Sequence, residues 1–147
     1  MRLALLLTAV FVVAGCGGGD GQLSAEEYQE QGNAICTKYE GEIDAVPAPS
    51  GDDPQQLTAY LDKTIPLAEQ QIADLRALEP PEDDQKTHDK MLAEADGLLG
   101  SARDLRTAVV AGDENGVNDA IAEADASNKQ ADELATDLGL DSCVTDE

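Results

Sequence analysis

Apolar positions recur along most of this chain at three- and four-residue steps, the spacing that lines up side chains on one face of an α-helix. The first such stripe is Tyr28, Gly32, Ile35, Tyr39, Ile43 and Val46, with Cys36 on it or beside it. Ser24 and Glu27 are spaced as a capping box, and Leu23 and Tyr28 as the hydrophobic staple around it, so a helix is predicted to start at Ser24. Pro47-Ala48-Pro49-Ser50-Gly51 ends it in a loop. Asp53 and Pro54 open a second helix, as N-cap and first helical residue. Its stripe is Leu57, Leu61, Ile65 (or Thr64), Ala68, Ile72, Leu75 and Leu78. Pro66 lies inside that pattern and removes the donor for the carbonyl of Asp62, which predicts a kink there or a break at Thr64.

Pro80-Pro81 stops the second helix, and a third is expected over residues 82–111. Its stripe is His88, Met91, Leu92, Ala95, Leu98, Leu99, Ala102, Leu105 and Val109, with Gly112 as C-cap. Asp113 caps a fourth, whose stripe is Val117, Ile121, Ala124, Asn128, Ala131, Leu134, Ala135 and Leu138. Gly139-Leu140 fits a Schellman ending. No strand-like alternation competes. The expected fold is all-α: an antiparallel four-helix bundle with short connections, over residues 24–140.

One apolar run does not follow the helical period. Residues 3–13 form a continuous apolar segment behind Met1 and Arg2, and small residues follow, the order of a secretory signal. At about 11 residues it is shorter than the roughly 20 that span a bilayer. Val13-Ala14-Gly15-Cys16 at its end reads as a lipobox, with cleavage before Cys16 and a lipid on its thiol. A signal peptide cut elsewhere, with Cys16 incidental, is the alternative. The expected organisation is a signal peptide at 1–15, the lipidated Cys16 with a glycine-rich tether at 16–23, the bundle, and a tail at 141–147 carrying Cys143.

Composition supports helices. Much of the 41% hydrophobic content is alanine, and there are no Trp, one Phe and three Tyr, too few rings for a sheet core. The charge excludes one class of partner. With 31 Asp and Glu against 9 Lys and Arg, the formal net charge is −22, which repels nucleic acid and anionic headgroups alike.

Three cysteines leave one to explain. The lipobox uses Cys16, so Cys36 and Cys143 remain as a pair in an oxidising compartment where a disulfide persists. The bond makes a geometric demand. Cys36 lies about 12 residues into the first helix, roughly 18 Å along its axis. The tail must therefore fold back along that helix if the fourth helix ends beside the start of the first.

Candidate chemistry is sparse. His88 is the sole histidine, and with Met91 one turn away it could offer two ligands to haem or copper. The plainer reading is an early-turn histidine with Asp84 nearby. Tyr28, Tyr39 and Tyr60 could line a ligand groove, although two of them share the first stripe and suit core packing with the hydroxyl reaching the surface. Asn128, polar on an apolar stripe, could set register or hydrogen-bond across the core. Gly51-Asp52-Asp53 and Gly112-Asp113-Glu114-Asn115 read as turns and caps, not calcium loops, and no metal site is expected. No nucleophile elbow, phosphate loop or catalytic histidine pairing is present, so no enzyme activity and no cofactor are expected.

The lipobox, Asn33-Ala34-Ile35-Cys36, the run from Leu75 through Pro80-Pro81, Ala111-Gly112-Asp113, and Leu138-Gly139-Leu140 with Cys143 together resemble the small secreted helical lipoproteins of actinobacteria. The resemblance covers most of the chain after Cys16. Its motifs are caps, turns and cysteines, and that group is largely of unassigned function. It implies an exported, membrane-tethered helical domain and carries over no functional residue beyond the lipid-bearing Cys16 and the Cys36–Cys143 pair.

The reading reached from sequence is a non-enzymatic lipoprotein held at the outer face of the plasma membrane by the lipid on Cys16, binding another envelope protein or a small ligand. A haem- or cation-binding carrier using His88, Met91 or a tyrosine is one alternative. A structural or surface-charge role in the envelope is another.

Overall fold

The computed structural model describes residues 21–51 and 53–145. The signal and lipidation assignments, which fall on residues 1–16, lie outside the described residues. Within them the chain folds as four helices, α1 (Ala25–Asp44), α2 (Pro54–Arg76), α3 (Gln85–Ala111) and α4 (Glu114–Asp137), followed by a short 3-10 turn, Asp141–Cys143. Among the described residues there is no strand, and no helix is long and apolar enough to cross a membrane.

Local chemistry sets most helix ends where the pattern places them. Ser24 and Glu27 form the full capping box, each side chain accepting from the other's backbone amide. Asp53 caps α2 through the amide of Gln55, and Asp113 caps α4 through that of Gly116. α3 begins at Gln85 and not at 82, because the amides of Asp84 and Gln85 both close on the carbonyl of Pro81 and make a turn of residues 82–84 first. α2 runs unbroken through Pro66, which rules out two shorter helices. The proline is exposed, so water can serve the carbonyl of Asp62 that loses its helical donor.

Gly112 and Gly139 each end a helix at positive φ, 68° and 71°. In both cases the next residue's amide reaches back to the carbonyl that opens the last turn: Asp113 to Ala108 and Leu140 to Ala135, each at 2.9 Å. These are Schellman endings.

α2 and α3 are joined on their outer faces by Asp62 with Arg106, Glu69 with Arg103 and Arg76 with Asp96. As the α2 position rises its α3 partner falls. All six side chains are about half exposed, so solvent screens each pair and its contribution to stability is small. α3 and α4 approach closely at their connected end, where a Cβ on Gly116 would lie 3.1 Å from that of Ala108. That approach corrects the expected α4 stripe. Ala120 is 3% exposed and fills the contact, while Ile121, too bulky for it, is turned outward at 45%. On α3 the small residues Ser101 and Ala108 are buried for the same reason, and Leu105 and Val109 are only half-buried.

α1 is held differently. No Cα of α1 comes within 8 Å of one in α3 or α4; its neighbours are α2 and the 3-10 turn. The tail does fold back along it. Gln29 Nε2 donates to the carbonyl of Leu138 at 3.2 Å, Asn33 Nδ2 to that of Gly139 at 3.0 Å, and the amide of Ser142 donates to Asn33 Oδ1 at 2.8 Å. Leu140 is fully buried over Gly32, where any Cβ would come within 2.5 Å of its methyl. Cys143 then forms the expected disulfide with Cys36, at a Cα separation of 5.1 Å.

Candidate functional site

His88 and Tyr28, weighed above as ligands, are brought together as partners of one another. Tyr28 Oη lies 2.8 Å from His88 Nδ1, with the rings edge-on and their centroids 5.6 Å apart. Both are buried, at 0% and 2% exposure, so the tyrosine hydroxyl does not reach the surface and Asp84 does not hold the histidine's side chain. Burial pushes the Tyr28 phenol up to about 12, with the Asp84 charge adding to it. Burial also pulls the His88 imidazole below its ordinary range, against the nearby Asp89. A protonated phenol beside a neutral imidazole donates to Nδ1, which leaves the ring proton on Nε2. The Tyr28 hydroxyl and His88 Nδ1 thus satisfy one another inside the core.

Tyr39 is buried with its hydroxyl donating to Asp74 Oδ2 at 2.7 Å, and Lys38 Nζ lies 4.1 Å over its ring. Tyr60 is half-buried beside the loop carrying Pro47 and Pro49. The three tyrosines therefore line no common groove. Among the described residues no group of three or more His, Cys, Asp or Glu side chains is placed to hold a metal ion.

A concavity with a mostly aliphatic lining lies elsewhere, in a cleft of about 230 Å³ that touches all four helices and the tail. One wall is the α2 stripe of Ile65, Ala68, Ile72 and Leu75; the facing wall is the α3 stripe of Met91, Ala95, Leu98, Leu99 and Ala102. Ala131 and Ala135 of α4 and Ile43 of α1 complete the apolar lining. Polar groups sit among these at Thr64, Gln71, Asn128, Asp132 and Thr145.

The tail shapes one edge of this cleft. Asn128 Nδ2 donates to Thr145 Oγ1 at 2.7 Å, while the backbone amide and hydroxyl of Thr145 both donate to the Asp132 carboxylate. Asn128 thus neither sets a buried register nor bonds across the core; it pins the tail to α4. With Cys143 bonded to Cys36 two residues earlier, residues 143–145 bridge α1 to α4 at one end of the gap between them. Gln71 Nε2 donates to Cys36 Sγ at 3.3 Å and brings α2 to the same point.

Of the residues singled out from sequence, Met91, Asn128 and Cys143 line the cleft, whereas His88, Tyr28 and Tyr39 do not. The cleft-lining residues were legible as core stripes but not as a cavity. The available signal was the alanine content: Ala68, Ala95, Ala102, Ala131 and Ala135 face a space that no aromatic side chain is present to fill. Comparison with protein families, with curated proteins and with solved structures finds no match to this chain.

Proposed function

We propose that this chain is an exported, lipid-anchored, non-enzymatic module of the cell envelope, held by Cys16 at the outer face of the plasma membrane. Its four helices form an antiparallel bundle, and its work is to bind a small ligand or part of another envelope protein. The falling order of the α2–α3 ion pairs supports the antiparallel arrangement. The observation that carries the binding reading is the aliphatic cleft between α2, α3 and α4, with few polar groups around it, the usual make-up of a ligand site. The anchor is supported by the order of residues 1–16, and the Cys36–Cys143 bond fits an oxidising compartment. A haem or copper carrier is not favoured, since His88 Nδ1 is engaged by Tyr28 and the ring is 2% exposed.

Two measurements test this reading. Cys16→Ser should abolish palmitate labelling and release the chain from membranes; unchanged labelling and fractionation overturn the anchor. A photoreactive side chain at Leu98, in the cleft, should give one dominant adduct in native membranes, against a control at the exposed Val110. Equal labelling at the two positions overturns the binding site.

A further inference from the structure

We infer that the occupant of the cleft is an uncharged amphiphile with a single aliphatic chain of medium length. This rests on the cleft being the binding site proposed above, and goes further by naming the ligand's chemistry. Three features of the lining argue for it.

The first is shape. On α2 the lining runs from Thr64 to Leu75 and on α3 from Met91 to Ala102. At the rise of an α-helix each run covers about 16 Å, so the cleft is a slot along the helices and not a round pocket. Alanines on three helices keep it open, and Ile, Leu and Met side chains complete its aliphatic lining. The second feature is composition: no aromatic side chain lines it, so nothing offers a planar ligand a stacking surface. An elongated aliphatic slot suits a flexible methylene chain better than a fused ring system.

The third feature is charge. Among the described residues the lining contains no Lys or Arg and its single ionisable acid is Asp132, and the chain carries a formal net charge of −22. A carboxylate or phosphate headgroup at the mouth would meet a negative field with no cation to receive it. Asp132 already accepts three hydrogen bonds from Thr145 and Asn128, which take up most of its acceptor capacity before an ammonium group could bind. A headgroup hydroxyl can instead donate to Gln71 Oε1, Asn128 Oδ1 or Thr64 Oγ1, and an ester can accept the second Nε2 proton of Gln71, beyond the bonds these side chains already make.

The test uses glycerol monododecanoate as the probe and dodecanoate as its anionic counterpart, both below their micelle concentrations, in calorimetric titrations of the full chain. The full chain carrying Cys16→Ser is titrated in parallel, so that lipid on that thiol cannot compete. Saturable one-to-one binding of the neutral probe by both forms is expected, with dodecanoate at least about 10-fold weaker at low salt. Filling the slot with Ala131→Phe or Ala95→Leu should weaken the neutral probe by about 10-fold or more at an unchanged unfolding midpoint.

The inference is overturned by absence of saturable binding, by dodecanoate binding as well as the neutral probe, or by undiminished binding in both filled variants that remain folded. Binding by the Cys16→Ser form alone also overturns it, since the chain's own lipid is then the occupant. The probe comparison needs no cleft variant, so misfolding of either one leaves it decisive. Failure here with an intact adduct at Leu98 leaves the binding module standing with another ligand; failure of both removes both.

Discussion

α3 ends at Gly112 and α4 at Gly139 with the same backbone device, yet the two glycines sit in opposite surroundings. A Cβ added at Gly112 meets nothing within 4 Å, whereas one at Gly139 would collide with Gln29 Nε2. Around Gly139 the fully buried Leu140, the Tyr28–His88 pair, the disulfide and three hydrogen bonds to Gln29 and Asn33 close one end of the molecule. Around Gly112 the large apolar side chains Val110 and Ile121 stand exposed at 65% and 45%. An identical local signal therefore terminates a helix in both places and specifies tertiary packing in neither. What differs is the residue after the glycine. Leu140 carries an apolar side chain into the core, and Asp113 begins the next helix.

The largest test of this contrast breaks the closed end's covalent tie. The Cys36–Cys143 bond spans 107 residues of sequence. Constraint of so long a loop in the unfolded chain is worth about 4–5 kcal/mol, so Cys143→Ser should lower the urea unfolding free energy by close to that amount. Amide exchange should accelerate most in residues 28–33 and 138–145 and least around Gly112. Uniform acceleration across the chain would mean that the two ends are not distinct in stability. Because Cys143 lines the cleft, the same variant should also loosen its tail edge.

A smaller effect separates the ends by packing alone. Leu140→Ala removes a fully buried side chain seated over Gly32 and should cost about 2–5 kcal/mol. Val110→Ala, at 65% exposure, should fall within about 0.5 kcal/mol of the parent. Paired denaturant melts would decide it, and similar losses for the two would contradict the burial difference. Next in size come the glycines themselves. Both alanine variants place a Cβ at left-handed φ, at about 1–2 kcal/mol each. Gly139→Ala must in addition displace Gln29 and its bond to Leu138, so it should be the more damaging of the two.

How far the sequence could be read follows the same division. Ser24 with Glu27, Asp53 with Pro54, and the two glycine endings were legible because caps depend on residues within a few positions of one another. The disulfide was legible because reading Cys16 as the lipid-bearing residue left the other two cysteines as a pair. What escaped were facts about how closely helices approach. The burial of Ala120 in place of Ile121 depends on Gly116 and Ala108 meeting across two helices, which no stripe on one helix reveals. The cleft escaped for a related reason: a stripe containing alanines reads as core whether or not something fills the space opposite. His88 was misread because its partner, Tyr28, is 60 residues away and Asp84 is only four.

The smallest predicted effect concerns pH, and it also divides the ends, since the closed end holds the buried Tyr28–His88 pair while the acids around Gly112 are exposed. The His88 imidazole is held below its ordinary range by burial, so protonation favours the unfolded chain. Its contribution is complete above the unfolded value of 6.5 and is lost as pH falls through the lower folded value. The Tyr28 phenol is pushed from 10.0 up to about 12, so its contribution is complete below the former and lost as pH rises through the latter. Acidification also relieves repulsion among the surface carboxylates, which opposes the histidine effect, so the informative quantity is a difference between variants. His88→Asn keeps an acceptor near the Nδ1 position and cannot be protonated. It should be less stable than the parent near neutral pH, yet lose less stability on acidification below about pH 6.5, with its alkaline limb unchanged. Parallel acid limbs in the two proteins would show that the pair is not what makes the closed end sensitive to acid.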